Sequence, residues 1–485
     1  MSAPRSRPVL QVFGNRRIAA MLLLGFASGL PLALSAGTLQ AWLTIEGLDI
    51  RTIGFFALAG LPYTFKFAWA PLADRFEPPL LGRRRGWLLV TQLGLAALCF
   101  VMATLRPDGS VLAVGACAVA IAFLSASQDI VFDAYRTDLL REEERGAGAA
   151  VSVLGYRVAM LVSGGLALIL ADQWLGWPGM FRAMGALFVV MAAVTLWAPA
   201  VPPVAALKSD VRRELVGFAA MLAAGAGSFW LLRQLPWHWL GEGRFVSLGV
   251  DTVTLLAACV AALQAARHAG FPSFLAPWDA FFGRERAAAL LAMIVLYKLG
   301  DAFAGSLSTT FLIRGAGFTA TEVGAVNKVL GLIATIVGAL AGGAWLARQP
   351  LYGSLMLFGL LQAVSNFGYW LISVMPKSYL LMATAIGFEN LCGGMGTAAF
   401  VAFLMALTDR RYSAAQYALL SALAAVGRVY VGPASGVMVE AFGWPSFFVF
   451  TVGAALPGLV LLRWLRPQVI ALDAPRQAGA GAGKR

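Results

Sequence analysis

Apolar runs of membrane-spanning length follow one another along almost the whole chain. They fall at about 18–44, 52–73, 86–105, 111–139, 146–171, 179–200, 211–234, 246–268, 287–313, 321–345, 350–374, 378–407, 413–441 and 445–465. A bilayer core takes roughly 20 apolar residues to cross as a helix, and backbone within lipid must satisfy its own hydrogen bonds. The expectation is an all-α polytopic membrane protein of about fourteen transmembrane helices. Composition agrees, because a soluble chain of 485 residues that is 60% hydrophobic and 13% charged could not hide its apolar surface. The net charge of +13 is no nucleic-acid footprint, since the bases gather in short segments between the runs.

An even number of spans puts both termini on one side. If that side is the cytoplasm, it holds Arg5, Arg7, Arg16, Arg17, Arg75, Arg83, Arg84, Arg85, Lys208, Arg212, Arg213, Arg284, Arg286, Arg410 and Arg411. The opposite side keeps only scattered bases such as Arg51, Arg106, Arg244 and Lys377. Arg16-Arg17 followed by IAAMLLLGF has the look of a signal peptide. Its apolar run continues past Gly37 towards Trp42, so it reads as an uncleaved first helix. Cys99, Cys117, Cys259 and Cys392 lie inside apolar runs without metal-ligand spacing, and His238 and His268 lie near helix ends. No metal site is expected.

The chain also repeats itself. GTLQAWLTIEGLDIRTIG at 37–54 resembles LSTTFLIRGAGFTATEVG at 307–324, and LGWPGMF at 175–181 returns as FGWPSFF at 442–448. Two six-helix halves of matching spacing are a transporter signature, because alternating access rocks one repeat against the other. The expected organisation is a six-helix bundle over 1–205, two inserted helices over 206–270 and an amphipathic cytoplasmic linker over 271–286. A second six-helix bundle over 287–466 and a disordered cytoplasmic tail over 467–485 complete it.

Charges inside the runs mark the functional centre, since an ionisable group at membrane depth needs a bundle interior or a wet cavity. Asp129, Asp133 and Arg136 follow at i, i+4 and i+7, one helical face. At about 1.5 Å per residue, Arg157, Lys298, Asp301, Glu389 and Arg428 fall near helix midpoints. Asp129 and Lys328 sit somewhat off centre, and Asp133, Arg136 and Lys66 lie towards the cytoplasmic side, where Lys66 can snorkel. Bases outnumber acids near the midplane, which favours an anionic ligand. The plain alternative is that these groups pair only with one another, as the i, i+3 neighbours Lys298 and Asp301 are placed to do.

The loop PLADRFEPPLLGRRRG from Pro71 resembles, in lengthened form, the D-R…G-R-R loop of the major facilitator superfamily. Physically, Asp74 ends one helix where Arg75, Arg83 and Arg84 can pair with it, and Arg136 lies on the same cytoplasmic side. That is a charge latch able to open as the halves rock, the alternative being basic residues that only set topology. The second-half counterpart GGAWLARQ lacks the acid. GFASGLPLALSAGTLQAWL, GLPYTFKFAWAPLADRF, SQDIVFDAYRTDLL and LYKLGDAFAGSLSTTFL together are similar to the AmpG-type muropeptide permeases, over nearly the whole chain. The resemblance implies a monomeric inner-membrane importer of an amphiphilic sugar-peptide, N-acetylglucosaminyl-1,6-anhydro-N-acetylmuramyl peptide. It would be driven by the proton gradient without a cofactor, for cell-wall recycling and, in some bacteria, signalling to β-lactamase induction.

A proton-coupled importer needs an acid whose protonation follows its surroundings, and Asp129, Asp133 and Glu389 are the candidates. Arg157, Lys298, Lys328 and Arg428, with Asp301, are the candidate contacts for substrate charges. Sugar faces stack on aromatic rings. Trp42, Tyr63, Tyr156, Tyr297, Tyr369 and Phe388 lie on spans expected to border the cavity, where packing is the competing role. Gly25, Gly29 and Pro31 in the first span, and Gly393, Gly394 and Gly396 in the twelfth, permit close helix contact or bending. A transporter of another bulky anion such as an acyl-CoA is the alternative within this fold. A polytopic enzyme would need a His–acid pair, a nucleophilic Cys or a metal cluster, none of which the pattern offers. A receptor would not need the duplicated halves.

Overall fold

The computed structural model describes residues 15–35, 37–47, 61–107, 109, 111–202, 210–237, 244–319, 322–323 and 326–473. The described residues are helical wherever an apolar run was read, as backbone in lipid requires. In the first half these are α1 (Arg16–Leu34), α2 (Ala70–Arg75), α3 (Gly82–Met102), α4 (Val111–Leu139), α5 (Arg145–Leu161) and α6 (Gly176–Trp197). The inserted pair is α7 (Val211–Arg233) and α8 (Arg244–Ala269), joined to the second half by α9 (Pro272–Phe282). There follow α10 (Ala287–Tyr297), α11 (Leu299–Thr310), α12 (Leu332–Leu346), α13 (Leu351–Ser365), α14 (Phe367–Val374), α15 (Tyr379–Leu407), α16 (Ser413–Trp464) and α17 (Arg466–Ala471).

Among the described residues nine helices are long and apolar enough to cross a membrane, or ten if Val253–Ala269 and Pro272–Phe282, bent by 112°, form one span. The count stays below the expected fourteen because the runs at 146–171 and 179–200 join in one helical stretch, Glu142–Trp197, and others are broken or only partly described. The run at 52–73 splits into Leu61–Phe65, a tight turn at Lys66–Ala68 and α2, and its start lies outside the described residues. The runs at 287–313 and 350–374 are interrupted at Lys298 and Asn366, yet each still counts as one span, Ala287–Gly315 and Leu351–Val374. Conversely, α16 carries two runs across a kink at Gly443. Another difference lies at the C-terminal side. The stretch expected to be a disordered tail begins with helix α17, and Asp473 accepts a hydrogen bond from the backbone N–H of Leu351 at 2.6 Å.

The duplication is visible in the helices themselves. α4 and α15 begin and end 268 residues apart, as do α5 and α16 at their starts and the short turns Glu142–Glu144 and Arg410–Tyr412. Gly176 and Gly443 repeat the same break, with φ of 63° and 75°. Each opens a Gly-Trp-Pro turn, where glycine takes the left-handed conformation and proline pre-sets the next helical turn.

Without a hydrophobic drive between helices in lipid, small residues set the close contacts. α1 runs unbroken through Pro31, and its glycines serve packing: a Cβ on Gly25 would lie 2.6 Å from the Ser152 carbonyl oxygen, and on Gly29 2.5 Å from that of Tyr156. α5 answers with Gly155, whose Cβ would meet the Leu22 carbonyl at 2.1 Å. Gly394 in α15 is pressed likewise against the Thr335 carbonyl of the α12 segment, at 2.2 Å.

A buried ion-pair latch and two interior charge clusters

Arg16, Arg17, Arg84, Arg85, Arg284 and Arg410 are tied together at one end of the bundle, the basic end. The described chain ends meet here too, since Asn15 donates to Glu144, and Glu142 lies beside Asp473. Arg16 and Arg85 donate to carbonyls of the last turn of α6, where unpaired acceptors favour cations.

The centre of this end is Arg84, 3% exposed. Its Nη2 donates to Asp74 Oδ1 and Ser413 Oγ, each at 2.6 Å, and its Nε donates to Asp138 Oδ2 at 2.8 Å. Nη1 donates to the Ala73 carbonyl at 3.1 Å. Asp74 accepts in turn from the backbone N–H groups of Ala414 at 3.2 Å and Ala415 at 2.8 Å. A carboxylate from the first half therefore caps the positive start of α16 in the second. The local fold makes this possible. Leu81 and Gly82 both take positive φ, 66° and 74°, turning the chain back so that α3 opens beneath α2. Gly86 lets the loop lie close, since a Cβ there would come 2.5 Å from the Leu80 carbonyl. Arg83 donates to the Asp74 carbonyl at 3.0 Å, and the Arg75 guanidinium lies over the Phe76 ring at 5.5 Å.

A second layer lies deeper. Arg136 donates to Asp133 at 2.8 Å, to Ser152 at 3.0 Å and, across to the second half, to the Tyr417 hydroxyl at 2.6 Å. Lys66, at its tight turn, stands 3.9 Å from the other Asp133 oxygen. Asp129, one turn further in, accepts a hydrogen bond from Ser28 of α1, and Tyr63 and Tyr156 lie near it. Among the described residues no cation comes within ion-pairing distance of Asp129.

The second half has its own cluster. The helix break at Lys298 frees its ammonium to reach Asp301 and the Gln362 amide oxygen, both at 3.3 Å, while the Gln362 amide nitrogen donates to Asp301. Gly396 makes room for Gln362, whose amide oxygen would lie 2.3 Å from a Cβ there. Glu389 accepts from Asn390 at 2.9 Å. Arg157 presents an exposed side chain on α5. The side chains of Lys328 and Arg428 lie outside the described residues, although both backbones are helical.

The aromatic candidates divide. Trp42 is 2% exposed, with its ring against Trp177 and Phe181, and Tyr297 stacks on Phe400 while donating to the Leu355 carbonyl. Tyr369 stacks on Phe448. In this state those three are packing residues. Tyr63 and Tyr156 are half-buried, and Phe388 is exposed.

The model of the Major Facilitator Superfamily matches residues 18–388. The chain belongs to the major facilitator superfamily. It is thus a transporter rather than an enzyme. A relative from Escherichia coli strain K12, an anhydromuropeptide permease, is 51% identical over 457 residues, covering 94% of this chain and 81% of that protein. Identity of that extent places the two in one family of the superfamily. Among solved superfamily structures, the proton:xylose symporter XylE shares the fold at TM-score 0.61 and 12% identity, covering 94% of this chain and 96% of its own. A bacterial homologue of the iron transporter ferroportin does so at TM-score 0.58 and 12% identity, covering 95% and 99%.

In this major-facilitator chain the latch exists once. Shifting Asp74, Arg84 and Asp138 by the repeat distance of 268 lands on Gly342, Tyr352 and Ala406, none of them charged. The corresponding contact between α5 and α12 is instead made of small residues. A Cβ on Gly343 would come 2.5 Å from Ala150 Cβ and 2.8 Å from the Gly146 carbonyl oxygen. Gly343→Ala is therefore expected to wedge this seam apart. Spin labels on the exposed residues Glu143 and Gln349 should then report a longer separation than in the native chain. Gly353→Ala, which meets nothing within 4 Å, should leave that distance unchanged.

Proposed function

We infer that the protein is a secondary transporter importing anhydromuropeptides across the bacterial inner membrane, from periplasm to cytoplasm, coupled to protons. The observation that carries this reading is the 51% identity to the Escherichia coli anhydromuropeptide permease along 94% of the chain. The interior supports it. Arg157 and the Lys298–Asp301–Gln362 cluster offer cations and amides for the carboxylates and amides of a sugar-peptide. Asp129 and Glu389 are half-buried acids within the helices, away from the latch, the kind of group that links proton movement to conformation. The basic end faces the cytoplasm by the positive-inside rule. Its closed latch then corresponds to the state that accepts substrate from the periplasm, and lipid surrounds a monomer.

The test is uptake of radiolabelled anhydromuropeptide into proteoliposomes, with and without an inward proton gradient. Accumulation against the concentration gradient only when protons flow inward is the expected result. A folded protein that exchanges no anhydromuropeptide under any gradient would leave the fold and remove the substrate.

A further inference from the structure

We propose that linker helix α9 is a clamp by which the inserted pair α7–α8 holds the basic end shut. The proposal rests on the reading that the halves rock, not on the identity of the substrate.

The inserted helices pack mainly on each other and leave Val216, Trp230, Leu231, Leu256 and Val260 more than half exposed. Their attachment is concentrated at the basic end. There the chain bends through 112° at Gly270, whose φ is 61°. The bend is held from both sides. Ser273 donates to fully buried Glu214 of α7 at 2.8 Å, and a Cβ on Gly217 would lie 2.6 Å from Phe271 Cβ. A ladder of rings then runs along α9. Centroids are 6.3 Å apart from Phe218 to Phe271, 5.7 Å from Phe271 to Phe274, 6.0 Å from Phe274 to Trp278 and 5.9 Å from Trp278 to Phe282. Arg284, just beyond, donates to the Leu407 carbonyl of α15. α9 is thereby fixed to the inserted pair at one end and to the second half at the other.

Its remaining face crosses the seam. Phe274 and Trp278 share one apolar cluster with Ala68 and Leu72 of the first half, and a small cleft between Phe67, Pro71, Phe274, Trp278, Ala415 and Leu419 marks where three bodies meet. Gln416, 1% exposed, donates to the Pro277 carbonyl at 3.0 Å and accepts from the Asp409 backbone N–H at 2.8 Å. Gln416 follows directly on Ala414 and Ala415, the two residues capped by Asp74. When α16 leaves Asp74, the rings of α9 must also leave Ala68 and Leu72. The linker therefore adds buried apolar contact to the closed state and none to the open one, and a contact made in one state alone shifts the balance towards it. This differs from a linker that merely lies on the membrane surface, since Phe274, Pro277 and Phe281 are buried in protein.

The experiment uses the full chain with its four cysteines replaced by alanine and one reporter cysteine at Ala414. That residue is 0% exposed, and its backbone N–H donates to Asp74 across the seam that opens. Its alkylation by a water-soluble maleimide in purified protein follows the fraction of time the basic end is open. Trp278→Ala is expected to raise the alkylation rate roughly tenfold, and the milder Leu72→Ala, which trims the first-half side of the same contact, to raise it in the same direction. Trp230→Ala, on the lipid face of α7, should leave it unchanged. Equal rates for Trp230→Ala and either of the other two, in protein that unfolds at the native temperature, would overturn the clamp. No substrate enters this assay, so its outcome is separate from that of the uptake experiment.

Discussion

Arg84→Ala is expected to abolish transport and to lower the stability of the folded protein by about 3–5 kcal/mol, the cost of leaving buried charge without its partner. The magnitude follows from what the guanidinium does. It is buried between Asp74 and Asp138, and it also holds Ser413 across the seam. Removing it leaves two carboxylates facing each other in the protein interior. Two measurements separate the parts of this effect. Thermal unfolding of the purified variant reads the stability loss, and proteoliposome uptake reads the transport loss. Adding Asp74→Asn and Asp138→Asn to Arg84→Ala should recover most of the stability, because no uncompensated charge remains, while transport stays impaired. A variant Arg84→Ala that unfolds at the native temperature would show that the latch holds nothing.

Asp129→Asn is expected to abolish proton-driven accumulation while sparing exchange of substrate between the two sides. Asparagine keeps the hydrogen bond from Ser28 and the shape of the side chain, and it removes only the alternation between charged and neutral forms. Asp133 is bound differently, between Arg136 at 2.8 Å and Lys66 at 3.9 Å. Asp133→Asn frees Arg136, which also reaches Tyr417 across the seam, so exchange as well as accumulation should fall. Glu389→Gln completes the set. If it alone uncouples while Asp129→Asn accumulates normally, the proton travels through the second half and the assignment to Asp129 is wrong. Uptake and counterflow by the three variants, compared at equal reconstitution, give the answer.

Much of this was legible in the sequence because lipid leaves a chain few options. Apolar length points to helices, the repeated Gly-Trp-Pro to the duplication, and the Asp74 to Arg85 loop to a pairing of acid and base, which the structure has between Asp74 and Arg84. What sequence did not show were partners that meet only in three dimensions. Asp138 lies in the SQDIVFDAYRTDLL segment, and nothing in its spacing points to Arg84, 54 residues earlier. Ser413 and Tyr417 carry no signal of their own. Gln362 lies on an otherwise apolar run, 61 residues from Asp301, so only packing brings the two together. Breaks such as the one at Lys298 were hidden for a different reason: hydropathy is continuous through them, and the change is in backbone direction alone. Rings are ambiguous for another reason: Trp42 and Tyr297 have the chemistry to stack on a sugar, and here they lie against neighbouring rings, a choice that composition does not make.

The single latch has a mechanical consequence. Of the two seams at the basic end, one is fastened by ions and the other by bare backbone at Gly146 and Gly343. Ions can trade their partners for water as they part, whereas surfaces that fit only by close approach gain nothing from a small gap. The protein should therefore swing like a door, with α5 and α12 as its axle and the edge at Asp74 sweeping widest. A molecule crossing it would leave past the charged jamb and never past the glycine side.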